Sequence, residues 1–101
     1  MDISTSTIEN VAVVRLRGRF EFANHREFSE AVKLSLANST AKEIKIDSSG
    51  VDYMDSAALG MLLLARERAQ AIGKTVTLAN AKGAVKQILG VANFEKLFTF
   101  V

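Results

Sequence analysis

Along this chain the spacing of apolar residues switches repeatedly between a two-residue and an approximately 3.6-residue period, and that alternation limits the possible folds most. From Val11 to Arg17 the period is two. Ala12, Val14 and Leu16 fall on one face, and Val11, Val13, Arg15 and Arg17 on the other. A Ser/Thr-rich strand, Ile3 to Ile8, precedes it across the tight turn Glu9-Asn10, so the two read as an antiparallel hairpin ended by Gly18. With Asn24 as N-cap, Phe28, Ala31, Val32, Ser35 and Leu36 then recur at helical spacing, which predicts a helix from about His25 to Ala37. Glu43 to Asp47 is a short strand with Ile44 and Ile46 on one face, followed by a loop over Ser48 to Met54. The strongest helix runs from Ala57 to Ile72, with Gly73 in the position of a C′ residue. Thr75 to Ala79 is a β-branched strand, and Ala84 to Leu89 a short helix stopped by Gly90. Phe94 to Leu97 adds a turn, and Phe98 to Val101 a final strand or tail.

The order β-β-α-β-α-β-α fixes the class as α/β. Strand–helix–strand crossovers keep one hand, so successive helices land on the same side of the sheet. The expectation is a small mixed sheet of four to five strands with helices packed mainly on one face. The length of 101 residues allows one core, so residues 1–101 form a single domain.

Composition removes several functional classes. There is no cysteine, hence no disulfide, no thiolate nucleophile and no sulfur-based zinc cluster. The single histidine, His25, excludes a two-histidine metal site and reads as a surface residue. The net charge of +2 is too small an excess to imply nucleic acid, and direct nucleic acid binding is not expected. Arg15, Arg17 and Arg19 alternate along one strand and read as its solvated side, not a phosphate-binding stripe. No export signal opens the chain, and the uncharged run Ala57 to Ala65 falls far short of the ~18 residues of a membrane span. The expected address is cytoplasmic, without membrane insertion.

One segment carries chemical information: the run from Asp47 to Gly60, which leaves a strand and enters the longest helix. Ser56 stands at the head of that helix. Read plainly, Ser56 is an N-cap. Asp55 can cap equally well, which frees Ser56 for the first helical position. A helix N-terminus has free N–H donors and a partial positive charge, so it tolerates a phosphoryl group that brings about −1.5 to −2 charges. The fold absorbs such a charge, whereas a partner docked beside it and Asp55 does not. Ala57, Ala58 and Gly60 are small enough for another backbone to approach, although packing against the chain's own sheet explains them as well. Asp47, Asp52 and Asp55 raise the possibility of a small metal-dependent enzyme. It is a poor one: no Lys, Arg or His stands in the segment, and Gly50 is a lone glycine without a phosphate-cradling loop.

The segment from Asp47 to Gly60 resembles the signature of STAS domains, and more narrowly that of bacterial anti-sigma factor antagonists. There an aspartate and a phosphorylated serine precede a small-small-Leu-Gly run. The resemblance extends over nearly the whole chain. Gly18-Arg19-Phe20-Glu21 is similar to the family's Gly-x-Leu-Asp, Gly73-Lys74-Thr75-Val76 to its Gly-x-x-Val, and Val85 to Leu89 to its late Val-x-x-x-Leu helix. The resemblance implies a non-enzymatic binding module with no cofactor, no metal and no catalytic residue. Its implied partners are an anti-sigma factor with serine kinase activity, bound in the unphosphorylated state, and a serine phosphatase that restores binding. By position, Ser56 is the phosphorylated residue, and Glu21, Asp55, Ser56, Ala57, Ala58 and Gly60 are the partner surface. Two departures stand out: Ala57-Ala58 replaces the commoner Ser-Gly, and Glu21 replaces Asp. The alternative implied by the same resemblance is an unswitched STAS subunit or adaptor of a transporter or signalling complex.

Overall fold

The hairpin forms in the register its pattern dictates. In the computed structural model, which describes residues 1–101, β1 (Asp2–Ile8) pairs antiparallel with β2 (Val11–Phe20), from Asp2 opposite Arg17 to Ile8 opposite Val11. Glu9 closes the turn at φ 56. A 3-10 turn, Phe22–Asn24, leads from β2 into α1 (His25–Ala37). Then follow β3 (Glu43–Met54), α2 (Ser56–Ala71), β4 (Thr75–Ala79), α3 (Gly83–Val91), a second 3-10 turn (Phe94–Lys96) and β5 (Thr99–Phe100). The sheet has five strands in the order β1-β2-β3-β4-β5, and every pairing after the first is parallel.

One hydrophobic cluster joins a single face of this sheet to all three helices. It takes Ala12, Val14 and Leu16 from β2, Ile44 and Ile46 from β3, and Val76 and Leu78 from β4. Against them pack Phe28 and Val32 of α1, Leu62, Ala65 and Ala69 of α2, and Val85 and Leu89 of α3. The mixed sheet with helices on one side is therefore as expected. The opposite face keeps Arg15 and Arg17 in solvent. Turns are tied to elements by side chains: Lys74, just before β4, donates from Nζ to the carbonyls of Leu36 and Asn38, both at 2.7 Å, and so closes the C-terminal end of α1.

Two strands outrun their sequence reading. β2 does not end at Gly18 but continues to Phe20, because Gly18 takes φ 103 and a register shift beside it absorbs the irregularity. β3 does not give way to a loop at Ser48. It extends to Met54, pairing Gly50, Val51, Tyr53 and Met54 with Arg17, Gly18, Arg19 and Phe20. The bulges break strict alternation there, so the buried residues Val51 and Met54 are three apart and the polar residues between them read as loop. At the helix ends the differences are small. α2 begins at Ser56, one residue before Ala57, and α3 passes through Gly90 to Val91. Asn24 is not a side-chain cap of α1. Its Oδ1 accepts from the Glu21 N–H at 3.0 Å and closes the 3-10 turn instead.

Candidate functional site

The extended second halves of β2 and β3 end side by side, and the site is built where they stop. Phe20 and Met54, paired across the strands, are both buried and anchor this end of the sheet. Asp55 follows Met54 and is tied down at three points. Its N–H donates to the Phe20 carbonyl at 3.2 Å. Its Oδ1 accepts from the Ala58 N–H at 2.9 Å, which caps α2. Its Oδ2 accepts from the Phe22 N–H at 3.2 Å. One carboxylate thus fixes both the head of α2 and the turn after β2.

Because Asp55 takes the cap, Ser56 is the first residue of α2 and is exposed. Its hydroxyl lies at the positive end of the longest helix, open to solvent. Glu21 reaches the same end of the sheet from β2 and is half-buried; its Oε2 accepts from Arg19 Nη2 at 3.4 Å. The Arg19 guanidinium also lies 4.0 Å from the centre of the Tyr53 ring, a cation–π contact between residues paired across β2 and β3. Gly60, one turn beyond Ser56, is exposed, and beyond its own stretch of helix backbone no atom lies within 4 Å of where its Cβ would be. Internal packing therefore does not account for this glycine. Ala57 is half-buried against the core. Ala58 is a correction: it is fully buried, with 0% of its surface exposed, because position N3 turns beneath the helix onto the sheet. It supports the surface without facing a partner.

Two exposed aromatics at this end of the sheet escaped the sequence reading. Phe22 is 71% exposed and Tyr53 40%. No local signal marked them: residues two apart in a strand share a face, so Phe22 reads as buried with Phe20, and it is the 3-10 turn starting at Phe22 that takes it off that face.

The three aspartates of the segment do not converge. Asp47 and Asp55 are eight residues apart on and just past one extended strand, about 25 Å. No group of three His, Asp or Glu side chains in the structure is arranged to hold a metal ion. Asp47 instead serves the sheet. Its Oδ1 accepts from the Ser49 N–H at 2.9 Å and the Asn80 amide at 3.2 Å, and Arg15 lies 4.0 Å away. Partial burial pushes its carboxyl up, but these hydrogen bonds and the arginine outweigh that and hold it below the ordinary value of 3.8. His25 is exposed, its ring 6.3 Å from that of Phe22.

The family model described as "Mlab, STAS domain" matches residues 3–99. The chain belongs to the STAS domain family. A STAS-domain containing protein of Pseudomonas aeruginosa is 38% identical over 85 residues, which are 84% of this chain and 82% of that protein. An anti-sigma factor antagonist from Mycobacterium paratuberculosis superposes with a TM-score of 0.86 at 18% identity, covering 98% of this chain and 83% of the other. The anti-sigma factor antagonist SpoIIAA in its unphosphorylated form gives 0.76 at 14% identity, covering 99% and 87%. At those identities the likeness establishes the fold. STAS domains are generally non-catalytic binding modules, and what the geometry of this STAS domain offers is an exposed serine hydroxyl at a helix start. None of its helices is long and apolar enough to cross a membrane.

Proposed function

We propose that this STAS domain is a phospho-switched binding module, an anti-sigma factor antagonist. Its unphosphorylated form binds an anti-sigma factor with serine kinase activity and so frees a sigma factor. Phosphorylation of Ser56 abolishes that binding, and a serine phosphatase restores it. The module works in the cytoplasm. The observation that carries this reading is the exposure of Ser56 at the first position of α2 while Asp55 occupies the cap. A kinase can reach the hydroxyl, and the dianion it leaves finds the N-terminal dipole and not a buried side chain. The neighbours fit a docking surface: Glu21 and Asp55 supply charge, and Ala57 and Gly60 leave space.

The charge of the phosphoryl group acts on the partner more than on the fold. Beside Asp55 it adds to a carboxylate already present, so a partner matched to a single negative charge and a flat helix start loses both its fit and its electrostatic match. The test is a pull-down of the kinase with Ser56→Ala and Ser56→Asp. Ser56→Ala should remain bound after incubation with ATP, and Ser56→Asp should bind at least about tenfold more weakly, the cost of one like-charge contact of roughly 1.4 kcal/mol. Equal binding by both variants would replace this reading with an unswitched adaptor of a transporter or signalling complex.

A further inference from the structure

We propose that two copies of this chain associate through β1, forming one continuous ten-stranded sheet about a two-fold axis at Thr5. The inference stands on the geometry of the sheet edge and is independent of the switch at Ser56.

β1 is the outer strand of the sheet, seven residues long, and six of the seven are exposed. The opposite edge, β5, has only two residues. Soluble proteins usually guard such an edge with lysine, proline or a bulge. β1 carries none of these: its residues pair with β2 one for one from Asp2 to Ile8, and its single charge, Asp2, sits at one end. An antiparallel pairing of two β1 strands centred on Thr5 sets Thr5 against Thr5, Ser4 against Ser6, Ile3 against Thr7 and Asp2 against Ile8. No like charges meet, and the hydroxyl-bearing pairs are favourable cross-strand neighbours.

The helix above this edge supplies the second half of the interface. α1 packs over both β1 and β2. One flank faces α2, where Arg68 Nη1 donates to Ser29 Oγ at 3.1 Å. At its C-terminal end, Asn38 Nδ2 donates to Thr7 Oγ1 of β1 at 3.1 Å. Leu34 stands one turn before Asn38 in the same row, and about 140° round the helix from Ser29, so it points away from α2 toward the free edge. It is 69% exposed. Glu30, Lys33 and Ala37, which share an open hollow of about 380 Å³ with it, lie on the helix face opposite the buried Phe28, Ala31, Val32 and Ser35 and look into solvent, so of the four only Leu34 borders the free edge.

The heights agree as well. Thr5 lies two residues before Thr7, about 7 Å along the strand. The same distance along α1 from Asn38 is between four and five residues, roughly the level of Leu34. The spacing also closes. A helix lying between β1 and β2 is about 4.8 Å from an axis half a strand spacing beyond β1, so the two α1 helices come to about 10 Å apart, an ordinary helix–helix distance. Leu34 of each copy then covers Leu34 of the other. This is a self-complementary, closed interface of the kind a two-fold dimer requires. Ser56, on α2 behind α1, stays open in both copies, so the dimer presents two switch serines.

Sedimentation velocity of the whole chain from about 1 µM to 1 mM tests the association, and cysteine cross-linking tests its geometry. The wild type should pass from monomer to dimer across that range, and Leu34→Lys, a change at an exposed position that leaves the fold intact by circular dichroism, should weaken dimerisation at least about tenfold. The chain has no cysteine of its own. Under mild oxidation, Leu34→Cys should give a covalent dimer, whereas Val91→Cys, at the most exposed apolar position in the chain, should not. A wild type that stays monomeric at 1 mM overturns the proposal. So does cross-linking of Val91→Cys as fast as that of Leu34→Cys, or a Leu34→Lys variant that dimerises like the wild type.

Discussion

Replacing Asp55 by alanine removes two acceptors at once, one for the first turn of α2 and one for the Phe22 N–H. The expected cost is about 1–3 kcal/mol in urea unfolding, more than an ordinary cap because both N–H groups lose their partner. Ser56→Ala, one residue on, should cost less than about 0.5 kcal/mol, since the exposed hydroxyl is not the cap. The contrast between neighbours separates the residue that caps the helix from the one proposed to carry the switch. Asp47 gives a prediction in pH. Its folded-state pKa is depressed, so the unfolded chain takes up a proton first as the pH falls, and the stabilisation is present above about pH 4 and lost as pH falls through the folded value. Unfolding curves of wild type and Asp47→Asn should therefore differ most at neutral pH and converge as the pH falls through the depressed folded-state pKa of Asp47. A difference that stays constant from neutral pH into the acid range would contradict the assignment. At this scale the sequence was informative about Asp55 and Ser56, because helix-start chemistry is local. It was silent on Phe22 and Tyr53, whose exposure depends on where two bulged strands end.

At the scale of elements, the lone glycine inside α2 separates folding from binding. Gly60 is helical and uncrowded, so Gly60→Ala should stabilise the chain by up to about 1 kcal/mol in thermal or urea unfolding. If the partner lies against this turn, as proposed, the same methyl group should weaken binding, measurable by titration calorimetry. A gain in both would place the partner elsewhere. Lys74 is the counterpart at the end of α1: Lys74→Met keeps the stem but removes two hydrogen bonds to orphan carbonyls, and should cost about 1–2 kcal/mol. The elements themselves were legible where one face is buried and the period is clean, as in the first half of β2 and in α1. β3 was cut short because alternation fails after Ser48. Its second half is held by pairing with β2, a long-range interaction that leaves only a trace in local sequence. Asn24 misled for a related reason: a good capping residue was used three residues earlier, on the turn itself.

For the whole molecule, the core that gives stability and the site proposed for the switch lie apart. The core lies between one sheet face and three helices, and Ser56 lies outside it at the end of the sheet. A charge added there changes what the surface presents without disturbing what holds the fold. The most direct test is a paired measurement on the chain stoichiometrically phosphorylated at Ser56: its urea unfolding free energy and its affinity for the anti-sigma kinase, each against the unmodified chain. The expected result is stability within about 0.5 kcal/mol of the unmodified protein and affinity reduced at least about tenfold. Unchanged affinity, or a loss of binding matched by unfolding of the domain, would contradict it.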